Sequence, residues 1–114
     1  SLRFNPDMTE TLYNLSWILA CFEDGKYRNG EEAVKLAEKL CKITRYNQPL
    51  ALDALAAAYA ETKRFNEAVF IAQKAYKLAL EQGPKALTPY LKQRLNLYQN
   101  RIPYRPSPSG EGNG

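Results

Sequence analysis

With 114 residues, 45% of them hydrophobic and 25% charged, the chain is sized for one globular domain and not for two. No apolar run approaches the ~20 residues that a transmembrane helix needs, and a chain without histidine lacks the usual general base near neutral pH. The net charge of +4 is unevenly spread, because residues 1–82 balance eleven basic against eleven acidic side chains and the excess lies beyond them.

Taken in order, residues 1–6 precede a helix start, where Asp7 with Glu10 offers an N-cap and its reciprocal carboxylate. The helix that follows carries Leu12, Leu15, Ser16 and Leu19 on one side, with Tyr13 and Trp17 four apart and off that stripe. Glu23 to Gly30 is a polar, turn-rich loop. Asn29 with Glu32 then caps a second helix, which buries Ala33, Leu36, Ala37 and Leu40 and places Glu31 and Glu32 where they favour its dipole. Arg45 to Gln48 is a link, and Pro49 suits a first helical turn because its missing N–H costs nothing there.

Residues 50–80 read as two amphipathic helices joined by a short polar turn. The first carries Leu52, Leu55, Ala56 and Tyr59, and the second Val69, Ala72, Ala75 with Tyr76, and Leu78 or Ala79. The run Ala56-Ala57-Ala58, followed by Ala60, lets helix backbones approach closely in an antiparallel hairpin. Gly83-Pro84 ends or bends the long helix, and Thr88-Pro89 opens a last one over Tyr90 to Asn100, with Leu91, Leu95, Tyr98 and Ile102 on its inner side. Pro103 stops it, and Arg105 to Gly114 has no residue able to build a core and reads as a flexible tail. Cys21 and Cys41 fall at opposite ends of the first hairpin, on the order of 10–15 Å apart at 1.5 Å per helical residue. A disulfide needs Cα atoms within about 7 Å, so both thiols are expected free and packed as small apolar groups.

The pattern of residues 50–80 resembles the tetratricopeptide repeat (TPR), a unit of roughly 34 residues reading W-x2-L-G-x2-Y…A-x3-F…P. Leu52, Leu55 and Ala56 stand in the tryptophan, leucine and glycine places, and Tyr59 and Ala68 match outright. Ala72 and Leu80 depart from it, where an aromatic and a proline are usual, and Lys63 replaces the glycine common in the unit's inter-helix turn, so a left-handed non-glycine residue is expected there. The same register puts Leu12, Leu15, Ser16 and Leu19 in the places of a preceding unit, and Leu2, Phe4, Asn5 and Pro6 resemble the close of one before that. The resemblance implies an all-α TPR-like α-α superhelix. Residues 1–6 would be the tail of a preceding repeat and 7–46 a first hairpin with a long inter-helix loop. A second hairpin would span 48–82, a capping helix 84–102 and a flexible tail 103–114, the whole being the C-terminal fragment of a longer bacterial-type array.

TPR units are helical scaffolds that bind protein segments. The resemblance therefore implies a non-catalytic interaction module that takes a peptide or helix of a partner in its concave groove. First helices line such grooves, so Tyr13, Asn14 and Trp17 of one unit are expected to face the groove with Asp53, Ala57 and Glu61 of the next. Trp17 is either a groove anchor or packs on the 23–30 loop or on a preceding repeat. The Lys/Asn/Arg clamp by which some TPR grooves hold a chaperone's C-terminal carboxylates is absent, since Tyr13, Trp17 and Ala54 occupy its places. A basic face of Lys85, Lys92, Arg94, Arg101 and Arg105 is either a solvated face that complements the helix dipole or a mark of an anionic partner. No base-stacking or groove-entering element accompanies it, so nucleic acid is not expected. Neither a cofactor nor a metal site is expected, because two distant cysteines lack histidine partners and no glycine-rich phosphate loop follows a strand. An edge bare of its preceding unit implies self-association through residues 1–20. The ending Leu97-Tyr98…Pro103-Tyr104-Arg105 is also similar to tails of bacterial multi-domain proteins, among them membrane-anchored glycosyltransferase-like ones. That likeness implies the alternative of an accessory domain in a larger enzyme.

Overall fold

The computed structural model describes residues 6–21 and 29–104, with side chains from 11–20 and 29–104. Among them it is all-helical, with α1 Pro6–Cys21, α2 Gly30–Ile43, α3 Pro49–Glu61, α4 Phe65–Gln82, a single 3-10 turn Lys85–Leu87, and α5 Thr88–Gln99. The helices pack as neighbours in sequence: α1 on α2, α2 on α3, α3 on α4 and α4 on α5, with a further α1–α3 contact. No described helix is long and apolar enough to cross a membrane. Residues 1–5 of the expected tail of a preceding repeat, most of the 23–30 loop and the tail from Arg105 lie outside the described residues.

Helix starts follow the local chemistry, with two shifts from expectation. The Asn29 side chain accepts a hydrogen bond from the Glu32 N–H at 3.2 Å and so caps α2. The Asn29 N–H does not wait for Glu32 but donates to the Leu19 carbonyl at 2.7 Å, tying α2's start to α1's end. Pro49 opens α3, as its missing N–H favours. Asp7, in contrast, lies inside the first turn of α1, which begins at Pro6. Thr88 is likewise the first residue of α5, its hydroxyl donating to the Lys85 carbonyl at 2.8 Å, so that helix starts earlier than Tyr90.

Three helix ends share one device. In α2, α3 and α5 the residue after the C-cap turns left-handed, at Arg45 (φ 59), Lys63 (φ 65) and Arg101 (φ 60). The next N–H then reaches back to the helix: Tyr46 to the Cys41 carbonyl at 2.7 Å, Arg64 to Tyr59 at 2.8 Å and Ile102 to Leu97 at 2.9 Å. These are Schellman closures, in which glycine is the common choice because it carries no Cβ. Here each site holds a long cation, which suits the negative end of the helix dipole.

The core gathers on α3. Every residue from Ala51 to Ala60 is buried, so α3 is enclosed all round rather than along one stripe. Alanines make this possible, because Ala54, Ala56 and Ala58 are fully buried and let α1, α2 and α4 approach the same helix. Ala33, Ala37 and Leu40 of α2 and Ala68, Ala72 and Ala75 of α4 are buried as their partners. Leu12, Ser16 and Ala20 of α1 repeat the burial of Leu52, Ala56 and Ala60. The match breaks at one place, where Leu55 is 1% exposed and Leu15 is 42% exposed. Gly30 marks another close approach, since a Cβ there would stand 2.8 Å from Thr62 Cγ2 and 3.0 Å from Glu61 Cγ. Cys41 is free and fully buried, its thiol pushed up to about 12 by burial and then by the Glu38 charge. Its S–H donates to the Ala51 carbonyl at 3.4 Å. On α5, Leu91 and Tyr98 are buried as expected, whereas Ile102 is 48% exposed because the turn at Arg101 carries it off the helix face.

Candidate functional site

Tyr13 and Trp17 of α1 and Asp53 of α3, three of the residues expected along a groove, are drawn into a knot with the C-terminal helix. Trp17 stands edge-on to Tyr13, with ring centroids 6.2 Å apart, and edge-on to Tyr104 at 5.7 Å. The Arg94 guanidinium lies over both aromatic faces, 5.1 Å from the Trp17 ring and 4.6 Å from that of Tyr104. One of its N–H groups donates to Asp53 on α3, forming an ion pair. A cation held between aromatic faces away from water gains about 2 kcal/mol or more in such contacts.

Electrostatics make this cluster tense. Asp53 is 2% exposed, and its burial pushes the carboxyl pKa up to about 6, with the charge and hydrogen bond of Arg94 pulling the other way. Burial works against the Arg94 charge too, but Asp53 and a hydrogen bond with Tyr104 outweigh it, so its pKa moves upward. Two donors in the cluster, Trp17 Nε1 and Arg94 Nε, are buried with no acceptor among the described residues. A buried donor left unsatisfied costs about 1–3 kcal/mol, so the knot is held by some contacts and strained by others.

The expected groove residues therefore divide. Tyr13 and Trp17 are half-buried beside each other and Asn14 is exposed. Asp53 and Ala57 are buried and do not form an open wall, because neighbouring helices and the Arg94 side chain close over α3. Glu61 is half-buried and lines a cleft of about 390 Å³ with Phe65, Arg101 and Pro103. The basic face divides as well. Lys85, Lys92 and Arg101 are exposed, and Arg101 stacks over the Phe65 ring at 5.3 Å. Arg94 leaves that face for the knot, and Arg105 lies outside the described residues.

Sequence reasoning missed the roles of Arg94 and Tyr104, although a signal existed for Arg94. It stands three residues after Leu91 and four before Tyr98, on the apolar side of α5, where a solvated arginine has no business. Among the described residues Trp17 packs on Tyr13 and Tyr104.

Away from the knot, the Tyr59 hydroxyl donates to Glu38 at 3.1 Å and ties α3 to α2. Arg64 lies 4.5 Å from the Tyr59 ring centroid and holds Glu67 with two bonds of 2.8 and 2.9 Å. Beside them, Phe70 is 68% exposed at the rim of a second shallow cleft. No protein-family model, curated protein or solved structure matches the chain.

Proposed function

We propose that this chain is a TPR-like interaction module that binds an extended segment of a partner protein across the α1 surface at Tyr13, Asn14 and Trp17. The observation that carries the reading is the Trp17 cluster, an aromatic, partly open site whose two orphaned N–H donors call for acceptors that a peptide backbone supplies. The repeat reading draws support from the burial shared by Leu12 with Leu52, Ser16 with Ala56 and Ala20 with Ala60, and from the order in which the helices pack. A non-catalytic role is supported by the chemistry of the polar groups. The chain has no histidine, Asp53 is committed to Arg94, and the Cys41 thiol is buried with its pKa pushed up to about 12.

The test is a pair of substitutions against an identified partner. Trp17→Ala is expected to weaken binding at least tenfold, in line with aromatic anchors that contribute about 2 kcal/mol or more. Lys39→Ala, an exposed position on α2, is expected to leave affinity within twofold. A folded Trp17→Ala chain with unchanged affinity returns Trp17 to a packing role. The same reading includes self-association of the chain through residues 1–20, where Leu15 and Ile18 are 42% and 45% exposed.

A further inference from the structure

We propose that Tyr104 closes the binding surface from within: the Pro103-Tyr104 segment of the chain occupies the seat of a partner's aromatic residue, and a partner binds by displacing it. The inference rests on the groove reading above and adds a ligand class, an extended segment with a tyrosine following a proline.

The path of the chain places the segment. After α5 ends at Gln99, the left-handed turn at Arg101 and the bond from Ile102 N–H to the Leu97 carbonyl reverse its direction. Pro103 then lies against the cleft beside Ala60 and Glu61, and Tyr104 meets Trp17 at 5.7 Å and Arg94 at 4.6 Å. Tyr104 is not part of the core that holds α5, which Leu91 and Tyr98 supply at 2% and 1% exposure while Tyr104 is half-buried. It can leave Trp17 with α5 still seated on α4.

The closure is incomplete in a way that favours exchange. With Tyr104 in place, Trp17 Nε1 and Arg94 Nε are buried donors without acceptors. The Tyr104 ring meets Trp17 edge-on and lies under the Arg94 guanidinium, with which Tyr104 is also hydrogen-bonded, yet it leaves Trp17 Nε1 and Arg94 Nε unmet. A segment free of the turn at Ile102 can seat the ring and bring its own carbonyls to these donors, which the tethered Pro103-Tyr104 does not. The cluster thus holds Tyr104 firmly enough to exclude weak ligands and loosely enough to release it to a matching one.

The probe is the heptapeptide Ile-Pro-Tyr-Arg-Pro-Ser-Pro, matching residues 102–108, titrated into the full chain with Trp17, its one tryptophan, as the fluorescent reporter. The Tyr104→Ala chain is expected to bind the peptide at least tenfold more tightly than the unsubstituted chain. Tyr104→Phe should behave more like the unsubstituted chain, and a peptide with alanine in place of tyrosine should bind neither. Circular dichroism checks the fold, and should Tyr104→Ala lose it, Tyr104→Leu keeps the bulk without the ring faces and supplies the same comparison. Equal affinity for the Tyr104→Ala and unsubstituted chains overturns the internal closure and leaves the groove reading standing. Absence of binding to either, up to the solubility of the peptide, overturns the closure together with its ligand class. Binding that persists in a Trp17→Leu/Tyr104→Ala chain, read by isothermal titration calorimetry because that chain has no tryptophan, places the peptide elsewhere and removes both this inference and the groove reading.

Discussion

Asp53 is the residue on which the two sides of the cluster pull hardest. A carboxylate at 2% exposure loses most of its hydration, and a single arginine, itself partly desolvated, does not replace it. The folded-state pKa therefore stands above its unfolded value, at about 6 against 3.8. A raised carboxyl pKa means that the folded chain holds its proton more tightly than the unfolded one. The contribution of Asp53 is then fully present below about pH 4 and is lost as pH rises through about 6. Asp53→Asn removes the titration. We expect the stability of the native chain, measured against Asp53→Asn by urea unfolding, to fall between pH 4 and pH 7. A native chain that gains on the variant over that range shows that the ion pair wins and the pKa is depressed. Gly30 carries a second expectation at this scale. A Cβ there meets Thr62 Cγ2 at 2.8 Å, so Gly30→Ala must push α2 from the end of α3. Overpacking of this kind costs about 1–3 kcal/mol, and a thermal melt that does not fall would mean that the Thr62 side chain simply rotates away.

Helices were the most legible part of the chain, and their ends the least. Pro49, Asn29 with Glu32, and Gly83 act through their own backbone or a neighbour three residues away, so sequence alone places them. The left-handed turn at Lys63 was readable because it replaces a glycine within the repeat pattern, and its φ of 65 agrees. Arg45 and Arg101 make the same turn without any such marker. A left-handed non-glycine residue costs roughly 1–2 kcal/mol, and glycine gives back about 0.5–1 kcal/mol through its freer unfolded chain. Lys63→Gly should therefore stabilise the chain by about 0.5–1 kcal/mol in urea unfolding. Loss of stability instead would show that the lysine charge at the end of α3 outweighs the strain. The Trp17 cluster lay beyond this kind of reading. Asp53 and Arg94 are 41 residues apart, and periodicity cannot report a contact made by the tertiary fold. The all-round burial of α3 was hidden for a related reason, since alanine fits a buried face and a solvated one alike, and only the packing of α1, α2 and α4 decides which.

At the scale of the whole molecule, the two edges of the helical stack differ. The α4 side is covered by α5 through Leu91 and Tyr98. On α1, Leu15 and Ile18 remain 42% and 45% exposed, while their counterparts Leu55 and Ala58 are 1% and 0% exposed beneath their neighbours. The exposed residues of α1 between Thr11 and Ile18 carry no charge, so the repulsion between copies of a +4 chain is weakest there. Sedimentation over a hundredfold range of concentration should show self-association, and Ile18→Glu should abolish it by placing a charge in the contact. A chain that remains monomeric throughout removes residues 1–20 as a contact surface.

The central claim is that partners meet this molecule at Trp17, and one resonance tests it. Trp17 is the only tryptophan, so its indole Nε1–H gives a single signal, and that donor is buried without an acceptor among the described residues. Titration of the isotopically labelled chain with a partner segment already shown to bind should move this signal downfield as the donor gains a carbonyl. Amide shifts should cluster at Tyr13, Asn14 and Tyr104, leaving exposed Lys39 and Phe70 in place. A titration that moves Lys39 or Phe70 while the indole signal stays fixed contradicts the claim and puts the binding surface on α2 or α4.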